Sequence, residues 1–509
     1  MKKRASSLVE LLSAGHDTAP VFGAPGTPDL SYGDLRRLII YSVKKFNVVG
    51  IGRNDRVAIV LKNGPEMAAS FLAVACGSTS APLNPAYRAD EFEFYLSDLN
   101  AKALVVEKGS DTPAIGVAEK LGIMIMDLVP TPEKGAGSFT LERRGTQTLT
   151  LTQGGWAQPD DVALILHTSG TTSRPKIVPL SHRNVAVSAG NIAETLAFTA
   201  KDRGLNIMPL FHIHGLIAGT LAPLSRGGYL FCSPGFNALR FFSWMEECKP
   251  NWYTAVPTMH QAILTRAAQN KATIEKYPLR FIRSSSSSLP TQVIREIEEV
   301  FKAPMIEAYG MTEASHQMCS NPLPPKARKP GAVGIAAGPE VAIMDEKGRL
   351  LKPGDIGEIV IRGENVTQGY ENNPKANADA FTNGWFRTGD QGVMDKDGYV
   401  TLTGRLKEII NRGGEKISPV EVDEVLMDHP AVMQVVTFAV PHEKLGEEVG
   451  AAVVLREGMA ATDQEIRAFA ATKLADFKVP RKIVILAEIP KGATGKLQRI
   501  GMAQKLGLV

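Results

Sequence analysis

Between about residues 160 and 310, short β-branched or aliphatic runs alternate with helix-length amphipathic segments, and this alternation commits the region to a parallel sheet wrapped by helices. Parallel neighbours need a crossover connection, which a helix supplies compactly. The runs predict strands at 162–166, 205–208, 229–232, 252–256, 280–283 and 305–308. Ser181-His182-Arg183-Asn184 opens a helix at 185–196, and Pro290-Thr291-Gln292 opens another at 293–301. The first 150 residues have the same texture, with a strand at 56–62 and a helix at 67–75. In open α/β sheets, ligands bind beyond the carboxyl ends of the strands, so candidate functional residues are sought there.

After about residue 330 the pattern changes to Gly-punctuated β-runs at 338–343, 357–362 and 398–404, which predict an antiparallel or barrel-like unit. A boundary follows near Gly404-Arg405, because the last hundred residues carry their own set of helices and strands at 419–427, 432–440, 449–455 and 463–474. A length of 509 residues with 44% hydrophobic and 22% charged residues is enough for three or four packed units.

Lys and Arg number 57 against 53 Asp and Glu, and a net charge of +4 is too small and dispersed for a nucleic-acid or membrane-surface protein. Any anionic partner must be met locally. The four cysteines form no C-x-x-C pair and no zinc-like spacing, which fits a reducing intracellular compartment. The basic start MKKR is followed by an apolar stretch that Glu10 interrupts, and no apolar run reaches the roughly 18 residues that cross a bilayer. The carboxyl end is not a peroxisomal S-K-L address. A cytoplasmic enzyme is expected, with its oligomeric state left open.

Three motifs carry chemistry. The first, HTSGTTSRPK at 167–176, directly follows a predicted strand, and its Thr168, Ser169, Gly170, Thr171, Thr172 and Lys176 offer N–H groups, hydroxyls and one cation to a polyphosphate. It is not a Walker A loop: Pro175 precedes the lysine where that motif requires Gly, and Ile177 replaces the Ser or Thr that would hold Mg²⁺. The second is EAYGMTE at 307–313. Here Tyr309 can stack on a planar base, Thr312 can donate to phosphate and Glu313 can hold a hard cation bridging phosphates, with Gly310 between them. The third is FRTGD at 386–390, where Asp390 can accept from two ribose hydroxyls. Each motif alone is weak, since an acidic residue after Gly is usually a turn; the ordered set is specific.

With these stretches, PLFH at 209–212, GRLKE at 404–408, RGGEKISP at 412–419 and PKGATGK at 490–496, the chain resembles the acyl-adenylate-forming superfamily of acyl-CoA synthetases over nearly its whole length. The resemblance implies a large α/β amino-terminal domain, 1–404, made of two α/β subdomains (about 1–160 and 161–330) and a small β-barrel (about 331–404). It also implies a smaller mobile α+β domain at 405–509. ATP, Mg²⁺ and coenzyme A are implied as reactants and cofactors, in a reaction that passes through an acyl-AMP. On the same footing Lys496 bridges the carboxylate and the α-phosphate, Glu313 holds the metal, and Arg405 and Asp390 meet the nucleotide. Lys407 is the implied hinge, and Gly413 and Gly414 line the pantetheine path. Ser173 and Ile177 stand where many relatives have Gly, so the phosphate loop departs from the usual pattern.

The acid is addressed by the five serines at 284–288, where the superfamily usually shows a Gly/Ala-rich stretch. An apolar tail would prefer small apolar residues, whereas hydroxyls suit a small polar acid, because a second buried carboxylate without hydrogen-bond partners costs several kcal/mol. Within the superfamily HTSGTTSRPK, NWYTAVPT, FIRS, SNPLP and NRGGEKISP resemble oxalate-CoA ligases, which implies that oxalate is cradled by His212, Ser286 and His316. Another short or aromatic acid, a carrier-protein thiol in place of coenzyme A, and a non-catalytic nucleotide-binding protein remain open.

Overall fold

The computed structural model describes residues 4–168, 175–490 and 497–509. Among the described residues four sheets form. The largest runs, in spatial order, Ile335–Ala336, His316–Ser320, Met305–Met311, Phe281–Ser284, Trp252–Ala255, Arg203–Asn206, Tyr229–Cys232, Pro20–Ala24 and Thr27–Ser31. Its central ladders are parallel, while His316–Ser320 returns antiparallel to Met305–Met311. The second sheet runs Phe139–Arg143, Met124–Pro130, Ala103–Glu107, Arg56–Val60, Thr79–Pro82, Val162–Thr168 and Lys176–Ser181.

The two sheets do not part at residue 160 as expected. Val162–Thr168 joins the first-half strands beside Thr79–Pro82, where the Thr79 hydroxyl donates to the Val162 carbonyl at 2.7 Å, and Pro20–Ala24 instead pairs with Tyr229–Cys232. Each half thus lends strands to the other's sheet, an exchange that linear texture does not reveal. The unit after residue 330 also differs from a barrel: Glu340–Met344, Ile356–Arg362, Trp385–Met394, Phe381–Thr382 and Val400–Arg405 form an antiparallel sheet whose outer strands do not pair with each other.

Local sequence explains the helices near the strand ends. Ser181 caps His182–Thr195 through a capping box with Asn184, and the helix buries Val185, Ala189 and Ile192 along one face. Thr291–Phe301 buries Val293, Ile294, Ile297 and Phe301, a spacing of one, three and four residues that makes one apolar stripe. Each such side chain contributes roughly 1.5–3 kcal/mol on burial. His214–Leu221 is a π-helix, a rare geometry that recurs at functional sites. No helix among the described residues is long and apolar enough to cross a membrane.

The last hundred residues form Glu415–Ile417, Ile410–Arg412, Gly446–Leu455 and Val432–His442 in spatial order, with Lys482–Ile485 parallel to Gly446–Leu455 and the helices Pro419–Met427 and Asp463–Ala471 alongside. Several polar contacts tie this unit to the rest. Thr291 donates to Glu424 at 3.3 Å, Gln261 donates to the Met433 carbonyl at 3.3 Å, and Arg456 meets Glu296 at 3.3 Å.

Glu307, on the strand Met305–Met311, is buried with one backbone donor, Gly331 N–H at 3.2 Å, and burial pushes its carboxyl up to about 8. A group with a raised folded-state pKa contributes stability that is present below its unfolded value and is lost as pH rises through the folded value. Glu307→Gln is therefore expected to raise the melting temperature relative to wild type more at about pH 9 than at about pH 5. Equal shifts at the two pH values, measured by scanning calorimetry, would contradict the burial assignment.

Candidate active site

Three neighbouring strands run parallel, Trp252–Ala255, Phe281–Ser284 and Met305–Met311, with Ala255 opposite Ser284 and Ser284 opposite Glu307, and the third continues past the ends of the other two. Beyond Met311 a single 3₁₀ turn, Thr312–Ala314, reverses the chain into His316–Ser320. Ser315 and His316 in that reversal have φ of +51° and +100°, and Ser286 at the end of the adjacent strand has +76°, values that cost a non-glycine residue energy and are held only by surrounding contacts. Those contacts are present. The Ser188 hydroxyl, from His182–Thr195, donates to the Ser315 carbonyl at 2.6 Å, and the Asn365 amide donates to the Ala314 carbonyl at 2.8 Å. Gly310 makes the reversal possible, since a Cβ there would lie 1.9 Å from the His316 carbonyl oxygen.

The reversal buries Glu313. Its Oε1 accepts from the Tyr370 hydroxyl at 2.8 Å, and the Lys176 ammonium sits 4.3 Å above the Tyr370 ring. Burial raises the Glu313 carboxyl above its ordinary value, against the pull of the Tyr370 hydroxyl and Lys176. Among the described residues no cluster of three or more His, Cys, Asp or Glu could hold a metal. A lone carboxylate suits Mg²⁺, which completes its shell with water and phosphate oxygens. Thr168 and Lys176 are register partners on antiparallel strands, so the expected phosphate loop spans them; Ser169, Gly170, Thr171 and Thr172 lie outside the described residues.

Tyr309 and Asp390 come together across the sheets: the buried phenol donates to the Asp390 carboxylate. Burial raises the Asp390 carboxyl, and Arg405 stands 3.6 Å from it on the opposing strand Val400–Arg405. Thr312 is half-buried at the start of the turn. The tyrosine, threonine and two acids of the second and third motifs therefore share one region with Lys176.

The polar group at the ends of these strands is more specific than the sequence indicates. Of the five serines, Ser284 and Ser285 are buried, Ser287 and Ser288 are exposed, and Ser286 stands half-buried between them. Its Oγ lies 3.0 Å from Nδ1 of His214, whose Nε2 is 2.7 Å from the Thr254 hydroxyl. The His214 and His316 rings lie 4.9 Å apart at 33°. The imidazole that joins Ser286 and His316 is thus that of His214. The expected His212 lies half-buried with its ring 4.6 Å from Phe211. Arg283, fully buried, reaches both His214 Nε2 at 3.4 Å and His316 Nε2 at 3.3 Å. Neither His214 nor Arg283 is separable by sequence from an ordinary core position; the only hint is a cation in an otherwise apolar strand.

Residues 13–371 match the AMP-binding enzyme family, and residues 421–496 match the AMP-binding enzyme C-terminal domain. The chain belongs to the AMP-binding enzyme family. Among curated relatives, oxalate–CoA ligase of Arabidopsis thaliana is 46% identical, covering 98% of each chain. Oxalate–CoA ligase of Saccharomyces cerevisiae is 43% identical, covering 89% of this chain and 87% of the relative. Among solved structures, ATP-bound MatB from Rhodopseudomonas palustris superposes with a TM-score of 0.86 at 28% identity, covering 98% of each chain.

Two remaining sites lie in the part of this AMP-binding enzyme that follows residue 404. Lys407 is exposed in the turn between Val400–Arg405 and Ile410–Arg412. Gly413 and Gly414, with φ of +59° and +96°, form the exposed tip between Ile410–Arg412 and Glu415–Ile417. Lys496 lies outside the described residues. Arg499, just after it, is held by Asp423 at 2.6 Å, by the Thr437 carbonyl at 2.9 Å and by Glu408 at 3.5 Å.

Proposed function

We propose that this chain ligates oxalate to coenzyme A at the expense of ATP, through an oxalyl-AMP intermediate, with release of pyrophosphate and then AMP. The observation that carries the choice of acid is the polar group at the strand ends, Ser286 on His214 beside His316 and the buried Arg283. An apolar acyl chain would leave these groups desolvated without partners, whereas a second carboxylate supplies acceptors. The two oxalate–CoA ligase relatives support the same reading.

The first half-reaction brings two anions together. Two like unit charges about 4 Å apart repel by about 4 kcal/mol at an effective dielectric constant near 20, so cations must stand where they meet. In this reading Lys496 spans the carboxylate and the α-phosphate, and Lys176 with the hydroxyls of loop 168–174 grips the leaving pyrophosphate. Glu313 holds Mg²⁺, which supplies charge neutralisation on the phosphates when bound. Tyr309 stacks on adenine and Asp390, steadied by the Tyr309 hydroxyl, accepts from the ribose. Positioning by these residues carries most of the rate.

The second half-reaction requires room for a thiol. Residues 405–509 act as a mobile domain that turns about Lys407 relative to residues 1–404 and brings Gly413 and Gly414 to the pantetheine path, where missing side chains permit a narrow approach. Among the contacts crossing this boundary, Thr291 with Glu424 and Gln261 with the Met433 carbonyl are polar bonds that can be exchanged at low cost. The four cysteines are buried and free, which supports a reducing, cytoplasmic setting.

Pyrophosphate release measured across oxalate, malonate, acetate, a fatty acid and coumarate, each with and without coenzyme A, tests the assignment. Oxalate is expected to give the highest kcat/KM, with sustained turnover only when coenzyme A is present; a higher value for any other acid would overturn the choice. Lys496→Ala is expected to abolish adenylation while thioester formation from supplied oxalyl-AMP persists. Equal loss of both half-reactions would remove Lys496 from its role.

A further inference from the structure

Arg283 is a fully buried cation on the strand Phe281–Ser284. A charge withdrawn from water costs several kcal/mol unless it is paired. Among the described residues no carboxylate lies within ion-pair distance of it, and its Nε has no hydrogen-bond partner. Its neighbours are neutral or weakly basic. His214 comes from the π-helix, and His316 and the Gln317 amide oxygen (3.3 Å) come from the returning strand. Burial pushes the guanidinium down to about 9, which leaves it charged at neutral pH.

A guanidinium only donates, so the Nε2 atoms of His214 and His316 that face Arg283 are acceptors and each ring carries its proton on Nδ1. The Thr254 hydroxyl, 2.7 Å from His214 Nε2, shares that nitrogen's one lone pair with the longer Arg283 contact. His214 Nδ1–H then donates to Ser286 Oγ at 3.0 Å, and a serine hydroxyl that has accepted keeps its own proton to donate. The chain of bonds runs in one direction, from a buried cation outward to a half-exposed hydroxyl.

We propose that Arg283 is the positioning residue of the acid pocket: it holds His214 and His316 as neutral Nδ1–H rings, so that Ser286 turns its proton toward the far carboxylate of the two-carbon diacid, whose charge the guanidinium compensates from beneath. Arg283 acts through His214 and needs no contact with the substrate. The role rests on the oxalate reading of the pocket, and it explains why a cation is stable inside a sheet that supplies it with no acid.

The test uses Arg283→Gln and Arg283→Lys in the full chain, with wild-type enzyme labelled with ¹⁵N-histidine. For Arg283→Gln, oxalate kcat/KM is expected to fall about 30- to 100-fold, the loss of one charge-assisted bond network, while the KM for ATP stays within about threefold. Its oxalate kcat/KM is also expected to gain an acid limb that the wild type lacks, because rings no longer facing a cation take up a proton more readily. Arg283→Lys is expected to recover part of the loss and show no new limb. Parallel loss of oxalate and ATP affinity in Arg283→Gln without a new limb would overturn the role. Should neither variant fold, the wild-type ring spectra decide: Nδ1–H signals for His214 and His316 support it, and Nε2–H signals overturn it. Failure of the wild type to turn over oxalate would instead remove the proposed substrate, and the ring spectra would still report on Arg283.

Discussion

The close register of three parallel strands, Trp252–Ala255, Phe281–Ser284 and Met305–Met311, is the constraint on which the remaining site geometry depends. Parallel strands point the same way in a sheet, so the ladder sets Thr254 beside Arg283 without long loops, while Met305–Met311 carries Tyr309 further along the same side. The antiparallel return through Thr312–Ala314 then folds Glu313 and His316 back over those ends. This return is costly in backbone terms, since Ser315, His316 and Ser286 all occupy left-handed φ, and it persists because Ser188, Asn365 and the bare Gly310 hold it. Strain of this kind fits a site in which a 1 Å error would matter more than a few kcal/mol of stability.

Electrostatics in this region follow from burial more than from net charge. Glu313 and Asp390 both have carboxyls raised by burial, and each has a phenol donating to it, from Tyr370 and Tyr309. Arg283 is the inverse case, a buried cation with no carboxylate beside it among the described residues. The small overall charge of +4 is consistent with a chain that meets its anions through single side chains placed at strand ends and not through a basic surface.

Much of this was legible in the residues themselves. The alternation of runs placed Val162–Thr168, Phe281–Ser284 and Met305–Met311 within a residue or three of their observed ends, because hydrophobic period and length report local structure directly. The helix His182–Thr195 carries the cap that announced it. The exchange of strands between the two large sheets was not legible, since which strand pairs with which is decided by long-range contacts such as Thr79 with Val162. The selection of Ser286 among five serines needed the burial of each, and its pairing with His214 depended on the start of a π-helix, which has no sequence signature. Arg283 was invisible as a functional residue because its meaning lies in what does not surround it.

The proposed diacid would set one carboxylate on the Ser286 hydroxyl at these strand ends. A crystal structure of the protein with oxalate, Mg²⁺ and a non-hydrolysable ATP analogue measures that directly. One oxalate carboxylate oxygen is expected within about 3.2 Å of Ser286 Oγ, with the other carboxylate turned toward the triphosphate. Oxalate bound elsewhere, or bound in this region with neither carboxylate near Ser286, would contradict it.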